Sequence, residues 1–210
     1  MSIFTEINEN LQKGRSKAVC NLVNEALAQK EEPKEIMQAM LDAMGEIGEK
    51  FKRDEVFVPD VMIAARAMNN GLAILKPFLA DAGIENKGKA CVGTVKGDLH
   101  DIGKNLVKLM LEGRGFEVID LGVDVAPETF VKTAVEQNCD VICCSALLTT
   151  TMTAMDEVVK AAEAAGIRDK VKIMVGGAPV DQRFCDHIGA DAYTRDAASA
   201  ADAAVAFMNK

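Results

Sequence analysis

The chain has 210 residues, 49% hydrophobic and 27% charged, with 24 Lys plus Arg against 32 Asp plus Glu and a net charge of −8. It is long enough for one large domain or two small ones, and its acidity argues against binding nucleic acid or anionic lipid. Two histidines, His100 and His187, exclude zinc sites built from several imidazoles.

The segment Met1–Gly14 mixes acids with apolar residues, unlike a signal peptide, and no stretch reaches the roughly 18 apolar residues of a membrane span. Ile3, Ile7 and Leu11 recur every four residues, and Val19, Leu22, Val23, Ala26 and Leu27 form a second helical face. Pro33 opens a third helix carrying Ile36, Met37, Met40, Leu41, Met44 and Ile47. Phe51–Pro59 breaks the pattern, and a fourth helix is predicted from Pro59 to Leu79. Four such helices imply a small bundle over residues 1–86, with Asp81–Lys89 as a linker.

Beyond it the period changes. Ala90–Val95, Glu117–Leu121, Asp140–Leu147 and Val171–Val175 read as strands, with Gly189–Tyr193 supplying a fifth. Helical patterns fall near 101–114, 127–138, 151–165, 180–188 and 196–208. This alternation predicts an α/β domain over 87–210, a Rossmann-like (flavodoxin-like) parallel sheet with helices on both faces. Such sheets bind ligands beyond the carboxyl ends of their strands. The six cysteines lack a C-x-x-C spacing and read as free thiols of a reduced, cytoplasmic protein.

Three predicted strand ends carry unusual residues. After the first strand comes Gly97-Asp98-Leu99-His100-Asp101-Ile102-Gly103. Asp98 could hydrogen-bond Nδ1 of His100 while Nε2 faces outward, as a carboxylate–histidine–metal relay requires. Taken alone, the pair reads equally as a helix cap beside a polar loop residue. The third strand exits through Ser145-Ala146-Leu147-Leu148-Thr149-Thr150-Thr151, hydroxyls suited to a polar ligand, with Thr150 or Thr151 also expected to cap the next helix. The fourth exits through Gly176-Gly177, which removes side-chain volume beside the same crevice. No G-x-G-x-x-G follows the first strand, and neither a Walker loop nor a nucleophilic triad is present. His187 reads as a surface cap near a helix end.

Taken together, D-x-H-x-x-G (Asp98–Gly103), S-x-L (Ser145–Leu147) and G-G (Gly176-Gly177) resemble the cobalamin-binding domains. Gly48–Phe51 through Phe57–Asp60 is similar to the helical cap of the cobalamin module of methionine synthase. Nearly the whole chain resembles the stand-alone corrinoid proteins of methyltransferase systems. The resemblance implies a cofactor, cobalamin, as methylcobalamin or another cobalt-containing corrinoid. It implies that His100 replaces the corrinoid's own base as lower axial ligand, the base-off/His-on form. Asp98 would hold the other imidazole nitrogen, and Thr151 would stand where the family has the Ser of its relay. Gly97, Leu99, Asp101, Ile102 and Gly103 would contact the cofactor, and Ser145, Leu147, Thr149, Gly176 and Gly177 would line the slot for its nucleotide tail. Phe51, Val58 and Met62 would cap the corrinoid.

The implied function is a methyl carrier, not an enzyme by itself. Its partners would be a substrate-specific methyltransferase, a second methyltransferase using tetrahydrofolate or a thiol, and a reductive activase, with no nucleic acid and no membrane. The alternative is a cobalamin-responsive regulatory or sensor protein, although the acidic bundle offers no Arg-rich recognition helix. A mutase subunit is a third reading, disfavoured because such subunits lack the helical cap.

Overall fold

Apolar residues at helical spacing bury one face of each N-terminal segment. The computed structural model describes residues 2–83 and 86–209. It places α1 at Ile3–Gln12, α2 at Ser16–Ala28, α3 at Pro33–Lys52 and α4 at Val58–Asp81. Ser2 caps α1 by accepting from the Thr5 N–H at 3.2 Å, and Pro33 sits in the first turn of α3, where its missing N–H costs nothing. Ile7, Leu11, Val19, Val23, Ile36, Met40 and Leu75 are fully buried. Gly71 lets α4 approach α3, since a Cβ there would stand 2.6 Å from Met40 Cε. The predicted break is shorter than Phe51–Pro59, because α3 runs on through Lys52 and α4 starts at Val58. The Asp60 carboxylate there accepts from the Phe57 N–H at 2.9 Å.

The second region alternates β1 (Gly88–Val95), α5 (Ile102–Glu112), β2 (Phe116–Val125), α6 (Pro127–Gln137), β3 (Val141–Ser145) and α7 (Thr153–Ala164). It ends with β4 (Lys172–Gly176), α8 (Gln182–Ile188), β5 (Ala192–Tyr193) and α9 (Ala197–Met208). The five strands are parallel in the order β2-β1-β3-β4-β5, so the chain reverses its direction of winding between β1 and β3. At that point the loops after β1 and β3 run to opposite faces and leave a crevice at the strands' carboxyl ends. β1, β3 and β4 are largely buried, as central strands under helices must be, whereas the edge strands β2 and β5 are partly exposed. Phe130 of α6 is fully buried against β1 at Gly93, where a Cβ would stand 2.7 Å from its Cζ.

The chain divides into two compact units, Met1–Asn86 with Glu112–Gly115, and Lys87–Leu111 with Phe116–Lys210. No helix among the described residues is long and apolar enough to cross a membrane. Several boundaries differ from the sequence expectation. Of the predicted linker, Asp81 belongs to α4, Gly88 and Lys89 belong to β1, and Ile84 and Glu85 lie outside the described residues. β2 continues to Val125 because its pairing with β1 resumes after a bulge, Gly93 opposite Gly122 and Val95 opposite Val125. β3 stops at Ser145, two residues early. Gly189 caps α8 in the left-handed conformation, at φ 72°, leaving only Ala192–Tyr193 for β5.

Truncating Phe130 opens a void between α6 and the sheet. Phe130→Ala is expected to cost about 3–5 kcal/mol, measured as a lower urea midpoint of unfolding.

Candidate functional site

At the carboxyl end of β1 the chain turns through Gly97, whose φ of 83° favours glycine, and the Asp98 N–H donates to Val95 O at 3.1 Å. This turn points Asp98 inward, fully buried, among five donors. Its Oδ1 accepts from the His100 backbone N–H at 3.0 Å and lies 2.7 Å from His100 Nδ1. Its Oδ2 accepts from the Leu147 and Leu148 N–H groups at 2.8 and 3.2 Å and from the Thr151 hydroxyl at 2.8 Å. Burial pushes the carboxyl up, but the His100 and Leu147 amides, the His100 ring and the Thr151 hydroxyl outweigh it and hold Asp98 well below the usual carboxylate range.

An ionised carboxylate only accepts, so Nδ1 of His100 carries a proton, which leaves Nε2 as the nitrogen that can offer a lone pair. Nε2 makes no hydrogen bond among the described residues, and the side chain is 51% exposed. The backbone of His100 is also fixed, because the hydroxyl of Thr94, fully buried in β1, donates to its carbonyl at 2.8 Å. The result is one imidazole, held from behind, with a free lone pair facing outward. An imidazole oriented in this way can offer Nε2 to a metal.

Around it, Leu99 and Ile102 are more than 70% exposed (71% and 74%), an apolar bed beside the imidazole. Gly103 lies in the first turn of α5, where a Cβ would meet nothing within 4 Å, so no internal packing demands glycine there. Asp101 is exposed and accepts from the Asn105 side chain at 3.1 Å. Ser145 ends β3 opposite Thr94 and Gly176, and Thr149 is exposed in the following loop. Gly177 is required sterically: its φ is 130°, and a Cβ would fall 1.8 Å from Ala146 O. The glycine pair thus packs against the β3 loop.

The expected helix cap is absent. Met152 is the N-cap residue of α7 and makes no side-chain cap bond, while the Thr151 hydroxyl turns to Asp98 and Leu148 O. The hydroxyl oxygen that a cap would use to accept from a helix N–H is instead turned so that its proton meets the buried charge. The extra methyl of Thr151 is accommodated beside Gly97, 3.5 Å from where a Cβ on that glycine would stand. Asp98, His100, Thr151 and the Leu147 backbone therefore meet directly. Phe51, Val58 and Met62 belong to the helical unit, with Met62 half-exposed. The sequence reading missed Thr94, hidden inside a strand, and the Leu148 amide, which carries no side-chain signal.

Among the described residues, no three His, Cys, Asp or Glu side chains group to hold a bare ion. A single imidazole suits a metal that brings its own equatorial ligands. Two B12 binding domain families match the chain, one over residues 88–206 and one over residues 3–76. The chain belongs to the B12-binding corrinoid proteins. A corrinoid protein of Desulfitobacterium hafniense is 40% identical over 214 residues, spanning 100% of this chain and 97% of the relative. The trimethylamine corrinoid protein of Methanosarcina barkeri is 43% identical over 191 residues, 90% of this chain and 88% of the relative. Among solved structures, the methanol:cobalamin methyltransferase complex MtaBC from Methanosarcina barkeri matches with a TM-score of 0.89 at 29% identity, over 99% of this chain and 80% of that one. A cobalamin-binding protein from Desulfitobacterium hafniense matches with a TM-score of 0.82 at 31% identity, over 97% of this chain and 98% of that one.

This corrinoid protein is thus of the kind found in methyltransferase systems, and its cofactor is cobalamin or a related corrinoid. The residues fit that group: a free imidazole lone pair, an apolar bed, and a glycine whose missing side chain serves no contact within the protein.

Because Asp98 titrates lower in the folded chain than its unfolded value near ~3.9, its stabilisation is complete above about pH 5 and fades as the pH falls below it. In the cofactor-free protein, Asp98→Asn is expected to cost about 1–3 kcal/mol at neutral pH by turning an amide toward donors. Urea titrations should show that gap narrowing toward acid.

Proposed function

We propose that this corrinoid protein is a methyl carrier of a methyltransferase system. It receives a methyl group from a substrate-specific methyltransferase and yields it to a second methyltransferase acting on tetrahydrofolate or a thiol. It works in the cytoplasm, is not an enzyme alone, and depends on a reductive activase. When bound, the corrinoid supplies the cobalt that takes up and releases the methyl group. The observation that carries the reading is the chain from Thr151 through Asp98 to His100, with contacts of 2.8 and 2.7 Å and the far nitrogen free. The names of the relatives, including dimethylamine and trimethylamine corrinoid proteins, support it.

In this reading His100 would hold the cobalt through Nε2 in place of the cofactor's own base. Asp98 holds the Nδ1 proton and so keeps the ring oriented, while Thr151 and the Leu147 and Leu148 amides keep Asp98 charged. Moving that proton tunes how strongly Nε2 donates. Gly97, Leu99, Asp101, Ile102 and Gly103 form the bed. Ser145, Leu147, Thr149, Gly176 and Gly177 line the slot for the displaced tail. Residues 1–86 would be the cap domain, with Phe51, Val58 and Met62 as the apolar residues it offers to the corrinoid. Residues 87–210 form the cobalamin-binding domain.

Reconstituted protein is expected to show a base-off, His-on absorption spectrum that His100→Ala converts to that of a corrinoid lacking a nitrogen ligand. An unchanged spectrum would sink the ligand assignment. Gly103→Leu places a side chain where the protein has no atoms. It should leave the thermal midpoint of the cofactor-free protein within about 2 °C, because it creates neither clash nor cavity, yet abolish retention of corrinoid on gel filtration.

A further inference from the structure

We infer that Asp124 is a positioning residue for His100, a role that rests on the ligand reading above. Asp124 lies near the end of β2, inside the bulge that separates the Gly93–Gly122 pair from the Val95–Val125 pair. Its φ is 53°, a left-handed conformation that a non-glycine residue adopts at a cost. What that conformation achieves is a two-point clasp on the loop beside it. The Asp124 N–H donates to Asp98 O at 3.0 Å, and its Oδ1 accepts from the Gly97 N–H at 2.7 Å. The peptide groups on either side of the Gly97-Asp98 pair, Lys96–Gly97 and Asp98–Leu99, are therefore both held by Asp124, flanking the residue whose carboxylate holds the imidazole.

The bulge itself is built and braced. Asp120 Oδ1 accepts from the Gly122 N–H at 3.0 Å, and Gly122 has φ 84°. The same carboxylate pairs with Lys104, a lysine of α5 whose side chain is only 3% exposed, and with Lys108 at 3.3 Å. α5 begins two residues after His100. The loop carrying His100 is thus tied to β2 at both ends, by Asp124 before it and by Lys104 after it. An edge strand has no need of such a bulge for pairing, since the ladder would run more regularly without it. Its position beside the His100 loop accounts for it.

Two readouts test this in Asp124→Gly, Asp124→Asn and a parallel His100→Ala. The first is amide hydrogen exchange of the 97–100 loop in the cofactor-free protein. The second is the nitrogen splitting in the electron paramagnetic resonance spectrum after loading with cob(II)alamin. Asp124→Gly suits the left-handed backbone but removes the acceptor; exchange at the Gly97 amide should rise about tenfold and the fraction showing nitrogen splitting should fall by about half. Asp124→Asn keeps an oxygen acceptor and tolerates the same φ, so it should behave as the wild type. A glycine variant that matches the wild type in both readouts, or an asparagine variant that fails like glycine, would overturn the inference. Nitrogen splitting that persists in His100→Ala would overturn the ligand reading instead, and with it Asp124's role toward cobalt.

Discussion

A charged carboxylate without solvent dictates the architecture of this site. Burying an ionised group costs several kcal/mol unless its lone pairs are met by donors. Asp98 meets that demand with donors drawn from its own loop and from the loop after β3. Satisfying one charge therefore fastens two crossover loops together at the point where the sheet reverses its winding. The imidazole profits from the same arrangement, since the carboxylate can accept from Nδ1 only if it stays ionised, and the backbone amides keep it so.

The surrounding packing divides into parts the protein needs for itself and parts it leaves for something else. Gly177 is of the first kind, because the Ala146 carbonyl occupies the space a side chain would take. Phe130 over Gly93 is likewise internal, filling the gap between α6 and the sheet. Gly103, Leu99 and Ile102 are of the second kind: a helical glycine with no steric reason, and two large apolar side chains facing outward. Hydrophobic surface left exposed beside an imidazole suits a large, partly apolar ligand of the kind this family binds. The buried cysteines of the α/β unit, Cys91, Cys139, Cys143, Cys144 and Cys185, fit the internal category too. Burial pushes the thiol of Cys143 up to about 12, and it serves as a small hydrophobe inside β3.

Much of this was legible in the residues. The change from a period of 3.6 to short apolar runs near residue 90 is a local signal, because each helix or strand must bury its own face. The motif residues were legible for a similar reason: an Asp and a His one residue apart, glycines at strand ends and a run of hydroxyls are chemically unusual in any fold. Where sequence reading failed, the competing force was long-range. β2 extends past Gly122 and Asp124, residues that usually end strands, because β1 lies alongside and the bulge lets pairing resume. Thr151 gives up its expected cap because its side chain is turned to donate to a buried carboxylate 53 positions earlier in the chain.

By itself, then, the sequence determined the class of fold and the order of elements, which follow from periodicity, and singled out His100 through the resemblance of its motif to the cobalamin-binding domains. Only the tertiary structure decided that Asp98 is fully enclosed and charged, and that Thr94, Leu148 and Asp124 reach the same loop. Those facts depend on contacts between strands distant in sequence, where backbone amides and buried hydroxyls act without any local pattern to announce them.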